Sequence, residues 1–130
     1  MSQILIVDDD ADVCQLMVKL LKRFGYQAGC VNSGRDCLHT LATDPPNLVL
    51  LDMMMPEMSG MDVLKHLRAE GKPLPVPIIV FSALSDVDVK KQALSLGACD
   101  YWVKASMDIH DIMARLARFL PQDPGAPAVH

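Results

Sequence analysis

Near the N-terminus stands Ile4-Leu5-Ile6-Val7-Asp8-Asp9-Asp10, four consecutive apolar residues, three of them β-branched, that run straight into three acids. A run of that length suits a strand better than a helix. Because consecutive rather than alternate positions are apolar, both faces of the strand are covered, as in a parallel sheet with helices on each side. Further runs at 27–31 (weaker), 48–51, 78–81 and 101–103 read the same way.

Helical patterns separate these runs. Val13, Leu16, Met17, Leu20, Leu21 and Phe24 recur at the spacing of one helix face, with Asp10 as the cap in front and Gly25 as the stop behind. Ser33 precedes a second helix carrying Cys37, Leu38 and Leu41, closed by Asp44-Pro45-Pro46. Ser59 caps a third with Met61, Leu64 and Leu67, followed by Gly71. Asp86 starts a fourth, the least amphipathic, with Val89, Ala93 and Leu96, stopped by Gly97. The fifth carries Ile109, Ile112, Met113, Leu116 and Leu120 and ends at Pro121. Five strands alternating with five helices predict an α/β fold of (βα)5 type, a three-layer sandwich with right-handed crossovers. One domain is expected over residues 1–120. Residues 121–130, rich in Pro with one Gly, read as a linker-like tail.

Composition narrows the function. Apolar residues make up 51% and charged residues 22%, ordinary globular values, and the net charge is −4. The acidic balance, without a dense Lys/Arg run, speaks against direct nucleic-acid binding. No apolar run approaches the roughly 18 residues of a membrane span, and no signal-peptide pattern precedes the first strand, so a cytoplasmic protein without a membrane partner is expected. Four Cys at 14, 30, 37 and 99 lack Cys-x-x-Cys spacing, which predicts reduced thiols rather than disulfides or a zinc site. His39, His66, His110 and His130 lack metal spacing as well. Lys90 and Lys91 read as a solvated helix face.

The strands of a parallel sheet end on one edge, where ligands bind. At that edge the sequence places Asp8, Asp9 and Asp10 after the first strand, Asp52 after the third, Ser82 at the fourth and Lys104 after the fifth. Singly, each has a plain explanation as a helix cap, a turn former or a surface charge; their coincidence on one edge points to a site. Three acids there would repel, and a hard divalent cation such as Mg²⁺ answers that. Asp8, Asp9 and Asp52 supply three units of the net −4. A carboxylate beside Mg²⁺ can attack phosphorus, with Asp52 on a central strand as the candidate nucleophile. Lys104 and Ser82 would then meet two of the phosphoryl oxygens.

The strings Ile6-Val7-Asp8-Asp9, Leu50-Leu51-Asp52-Met53-Met54-Met55-Pro56-Glu57-Met58-Ser59-Gly60, Val80-Phe81-Ser82-Ala83 and Gly97-Ala98-Cys99-Asp100-Tyr101-Trp102-Val103-Lys104 resemble the receiver domain of two-component response regulators. Asp-x-x-Met-Pro-x-x-x-Gly is the most specific of them, and the resemblance runs from residue 3 to about 120. It implies a flavodoxin-like fold with strand order 2-1-3-4-5. It further implies Asp52 as phosphoacceptor, Mg²⁺ held by Asp8, Asp9, Asp52 and the Met54 backbone carbonyl, Ser82 and Tyr101 as the switch pair, and Lys104 on the phosphoryl group. The implied partners are a histidine kinase or phosphotransfer protein and a downstream protein or linked output domain, with a phosphorylation-linked dimer left open. The implied protein phosphorylates itself and is not a turnover enzyme.

The sequence departs from that family in one place. The family carries a cis proline after the lysine, and here Ala105 follows Lys104. Since a non-proline cis bond costs about 2.5–4 kcal/mol, a trans bond, a rearranged loop and a displaced Lys104 are expected. Trp102 reads either as a strand residue covering a helix or as an exposed partner anchor. Met54 and Leu84, both apolar, would flank the phosphoryl group without orienting a water, which predicts slow self-hydrolysis. Two competing readings stay open. One is a haloacid-dehalogenase-like phosphatase with Asp8 as nucleophile, whose motif fails at its last position. The other is a degenerate, phosphate-independent receiver. A flavodoxin is disfavoured by the acidic first loop, which would repel a phosphate.

Overall fold

The computed structural model describes residues 3–120; the tail assigned to 121–130 lies outside them. The elements run β1 (Gln3–Val7), α1 (Ala11–Arg23), β2 (Gln27–Val31), α2 (Gly34–Thr43), β3 (Leu48–Leu51), α3 (Gly60–Leu67), β4 (Ile78–Ser82), α4 (Val87–Ser95), β5 (Asp100–Val103) and α5 (Ile109–Phe119), with short 3-10 turns at Ala69–Gly71 and Lys104–Ser106. All five strands pair in parallel, in the order β2-β1-β3-β4-β5. This is the (βα)5 flavodoxin-like sandwich the sequence predicts.

The consecutive apolar residues of the strands divide between two cores. Ile4, Ile6, Leu48, Leu50, Ile79, Phe81 and Trp102 face the layer of α1 and α5, where Met17, Leu21, Met113 and Leu116 meet them. Leu5, Val7, Val49, Leu51, Ile78, Val80 and Tyr101 face the opposite layer, against Cys37, Val63, Leu64 and Ala93. A one-residue slip of any strand would exchange the two sets, so the register is firmly held. Helix starts are fixed by side-chain caps. Asp10 accepts from the backbone N–H of Asp12 and Val13, Ser33 from Asp36 and Asp86 from Val89. Ser59 and Asp108 form reciprocal capping boxes with Asp62 and Asp111. Gly25 and Gly97 stop α1 and α4 at positive φ.

Trp102 is 1% exposed and its indole N–H donates to Asp100 Oδ2 at 2.8 Å, so it covers the α1/α5 layer and is no exposed anchor. The expectation of reduced thiols is corrected by a disulfide between Cys14 and Cys30, with a Cα–Cα distance of 5.8 Å. Cys14 lies on the inner face of α1, and α1 packs on the sheet edge formed by β2, where Cys30 pairs in register with Ile6. Of the remaining two, Cys37 is buried and Cys99 exposed, and burial pushes the Cys37 thiol up to about 12. No helix of the described residues is long and apolar enough to cross a membrane.

Trp102→Ala empties the largest fully buried side chain of the sheet and removes the indole donor from Asp100 Oδ2. The expected cost is about 3–5 kcal/mol, measured as a lower denaturant midpoint; a change below about 1 kcal/mol would contradict this packing.

Candidate functional site

The sheet register builds the site. Val7 pairs with Leu51 and Leu51 with Val80, so one residue beyond β1 and β3 the chain sets Asp8 beside Asp52; the Asp52 N–H still donates to the Val7 carbonyl at 2.9 Å. Ser82 pairs with Val103, which brings Lys104 to the same edge. Carboxylate oxygens of Asp8, Asp9 and Asp52 lie within 4.8 Å of one another. Asp8 and Asp52 are buried, at 3% and 6% exposure, while Asp9 faces solvent.

Each buried carboxylate is oriented from several sides. The Lys104 Nζ donates to Asp8 Oδ2 at 2.5 Å and lies 3.9 Å from Asp52 Oδ2. The Asp10 N–H donates to Asp8 Oδ1 at 2.9 Å. On Asp52 Oδ1 the Ser82 hydroxyl (2.8 Å) and the Met54 N–H (3.1 Å) converge. The Lys104 ammonium also sits 5.6 Å above the Phe81 ring. Lys104 is therefore not displaced, contrary to the expectation drawn from Ala105. The peptide bonds of the described residues are all trans, and the Lys104–Ser106 turn that follows β5 leaves the lysine free to reach the acids.

Tyr101 stands apart from the acids but is linked to them by hydrogen bonds. Its hydroxyl donates to the Leu84 carbonyl at 2.7 Å. The Leu84 N–H donates to Ser82 Oγ at 3.2 Å, and Ser82 donates to Asp52. The ring is already inside, among the residues facing α3 and α4. Burial, then the charges of Asp52 and Asp86, raise the Tyr101 pKa, so the hydroxyl keeps the proton it donates.

The donor set suits a hard cation. Three carboxylates supply oxygen only, two of them pre-oriented in the protein and one open to solvent, which is what an ion that retains part of its water shell requires. Asp8, Asp9 and Asp52 would hold it.

A family model described as the response regulator receiver domain matches residues 4–117. The chain belongs to that family. The transcriptional regulatory protein ZraR of Escherichia coli strain K12 is 36% identical over 130 residues, which cover 97% of this chain and 29% of that protein. KdpE of Mycobacterium tuberculosis strain H37Rv is 38% identical over 116 residues, 89% of this chain and 50% of that protein. The chain thus spans half or less of the length of these relatives. Among solved structures, the BeF3-activated N-terminal receiver domain of Klebsiella pneumoniae RstA superposes with a TM-score of 0.81 at 29% identity, over 93% of this chain and 100% of that one. A CheY-like receiver domain from Methylobacillus flagellatus gives 0.78 at 30% identity, over 92% and 99%. The chain is a receiver domain of two-component signalling, and neither the phosphatase nor the flavodoxin reading is favoured.

In this receiver domain the glycine of the Asp-x-x-Met-Pro-x-x-x-Gly segment has a steric reason. A Cβ at Gly60 would stand 2.3 Å from the Asp52 carbonyl oxygen and 2.9 Å from Met53 Cα. The Gly60 N–H donates to the Met53 carbonyl at 3.1 Å, so α3 begins pressed against the loop that carries the acid. Met53 and Met55 fill the core, while the Met54 side chain is 58% exposed. Sequence reading missed Asn32, whose Nδ2 donates to the Asp8 carbonyl at 2.9 Å. Its only signal was a polar residue directly after the second strand.

Gly60→Ala forces the Asp52 backbone to move. The expected loss of stability is about 1–3 kcal/mol, read by thermal unfolding. An unchanged melting temperature would mean that the loop yields without strain.

Proposed function

We propose that Asp52 accepts a phosphoryl group from a phosphohistidine of a histidine kinase or phosphotransfer protein, and that the modification switches the surface around Tyr101. The observation that carries the proposal is the convergence of Asp8, Asp9, Asp52, Ser82 and Lys104 at one sheet edge. An Asp52 carboxylate oxygen forms the new O–P bond as the N–P bond of the donor breaks, and the donor ring, protonated on its other nitrogen, keeps that electron pair and leaves as neutral imidazole. The product is an acyl phosphate. Asp8, Asp9, Asp52 and the Met54 backbone carbonyl would hold Mg²⁺, which would supply positive charge against the phosphoryl oxygens. Lys104 can release Asp8 and turn to the phosphoryl group, since its amino group already lies between the two acids.

Phosphorylation adds about −1.5 to −2 charges and new acceptor oxygens. The Ser82 hydroxyl, which donates to Asp52, gains a stronger acceptor in the phosphoryl group. Ser82, Leu84 and Tyr101 are joined by successive hydrogen bonds, so a shift of Ser82 is felt at the Tyr101 ring and at the surface of α4 and β5. A change of this kind works only through contacts that differ between two states. That surface would address a downstream protein, a linked output domain or a second copy. Met54 and Leu84 offer no group to orient a hydrolytic water, so self-hydrolysis is slow.

Incubation with Mg²⁺ and a small phosphodonor, followed by mass spectrometric mapping, is expected to place a hydroxylamine-sensitive phosphoryl group on Asp52. Asp52→Asn should remove it. Label on Asp8 with steady release of phosphate would instead indicate the phosphatase reading. The acyl phosphate should persist for minutes; decay within seconds would contradict the argument from Met54 and Leu84. Chelation of Mg²⁺ should stop labelling.

A further inference from the structure

The Cys14–Cys30 disulfide lies directly behind the acidic site. Cys14 Sγ is 3.4 Å from the Asp8 carbonyl oxygen. The Asn32 amide that donates to that same oxygen lies 3.6 Å from Cys14 Sγ and 3.7 Å from Cys30 Sγ. The Asp8 N–H donates to the Val31 carbonyl, next to Cys30, at 3.2 Å. The backbone of Asp8 is thus held on both sides by groups that touch the disulfide.

We propose that Cys14 and Cys30 are a reversible redox site, opened and closed by small thiols and disulfides, whose state sets the divalent-cation affinity of the Asp8/Asp9/Asp52 cluster. Access is provided by an open groove of about 510 Å³ between α1 and β2, lined by both cysteines together with Gln15, Val18, Lys19 and Lys22. Cys14 is buried, whereas Cys30 sits half-buried on an edge strand, so Cys30 is the sulfur a reagent reaches. The two lysines favour a small anionic thiol, because attack on a disulfide is made by the thiolate.

The exchange balances without a further reagent. One thiolate attacks Cys30 Sγ, the S–S bond breaks, and Cys14 leaves as a thiolate that takes up a proton. A second thiolate attacks the mixed disulfide and releases Cys30, which is protonated in turn. Two electrons and two protons pass to the protein, and the two small thiols become one small disulfide. Oxidation by a small disulfide is the reverse. In a reducing compartment such a pair cycles rather than serving as a permanent staple.

The two states differ at Asp8 in two ways. A disulfide sulfur has no hydrogen, whereas the Cys14 thiol can donate to the Asp8 carbonyl, which Asn32 already occupies. The disulfide also ties the first turn of α1 to β2, and that turn follows directly on the Asp8-Asp9-Asp10 segment. Pinning it pre-organises the two acids, so the oxidised form binds the cation more tightly. In its cation readout the inference rests on the receiver reading of the acids.

The test uses the full chain poised in reduced or oxidised glutathione. Alkylation under denaturing conditions with mass spectrometry should count two reactive cysteines in the oxidised form and all four in the reduced form, reversibly. Calorimetric titration with Mg²⁺ should give an affinity at least about five-fold weaker for the reduced protein, and Cys30→Ser should show the weaker value in both buffers. Should Cys30→Ser fail to fold, Cys14→Ala carries the same comparison. Labelling of Cys14 and Cys30 without reductant, resistance of the folded protein to reduction, or affinities equal within about two-fold would overturn the proposal. Phosphoryl incorporation at Asp52 separates the two readings. If Mg²⁺ affinity follows the redox state while Asp52 takes no phosphoryl group, the phosphoacceptor assignment fails and the redox site stands. If Asp52 is labelled while affinity ignores the redox state, the redox site alone fails. Absence of Mg²⁺ binding in both states overturns the proposal and also counts against the metal assignment.

Discussion

Two carboxylates are buried at one end of the sheet, and one ammonium group answers both. Asp8 and Asp52 lie under the surface, and Lys104 approaches each of them. Burying unpaired charge is costly, so these acids persist only because hydrogen bonds and the lysine compensate them. Asp10 N–H, Met54 N–H and the Ser82 hydroxyl complete that compensation. Among the described residues no buried side-chain nitrogen or oxygen is left without a partner. The charge, however, is not balanced: with Asp9 included, three negative groups face one positive one. A site with that deficit attracts cations, and in the proposed reaction a cation there would offset the charge of the incoming phosphoryl group.

The rest of the molecule keeps this cluster rigid. Parallel pairing in fixed register delivers side chains from β1, β3, β4 and β5 to one edge, and two packed cores prevent any strand from slipping. The start of α3 lies so close to the Asp52 backbone that no side chain fits at Gly60. Tyr101 and Trp102 are neighbours with opposite duties. Tyr101 faces the α3/α4 layer and connects through Leu84 and Ser82 to the acid, while Trp102 faces the α1/α5 layer and holds the sheet to it. The middle of β5 therefore carries both a link to the site and an anchor in the core.

Much of this was legible from residue order because the relevant signals are local. Consecutive apolar residues marked doubly covered strands; Asp10, Ser33, Ser59 and Asp86 marked helix starts; and each is met by the backbone donors that a cap serves. The acids and Ser82 could be assigned to one edge since a parallel sheet puts every strand end there. Lys104 stands at the edge where the sequence puts it, after a trans bond, and only the displacement expected from Ala105 is not found: one peptide bond is a local matter, while the pull of two buried carboxylates on a long, flexible cation decides where the amino group goes. The disulfide was misjudged for a related reason. Spacing and compartment arguments describe cysteines along the chain, and Cys14 meets Cys30 only because α1 folds back over β2.

The class of fold, the number and order of its elements, and the set of polar residues gathered at the strand ends can be read from residue order, because periodicity, caps and strand polarity act over a few residues. Packing in three dimensions sets the rest: Lys104 spans two acids, Trp102 is interior, Asn32 holds the Asp8 backbone and two of the four cysteines are joined. Each of these depends on which surfaces meet when helices pack on a twisted sheet, a relation between residues 16 to 96 positions apart on which local sequence rules are silent.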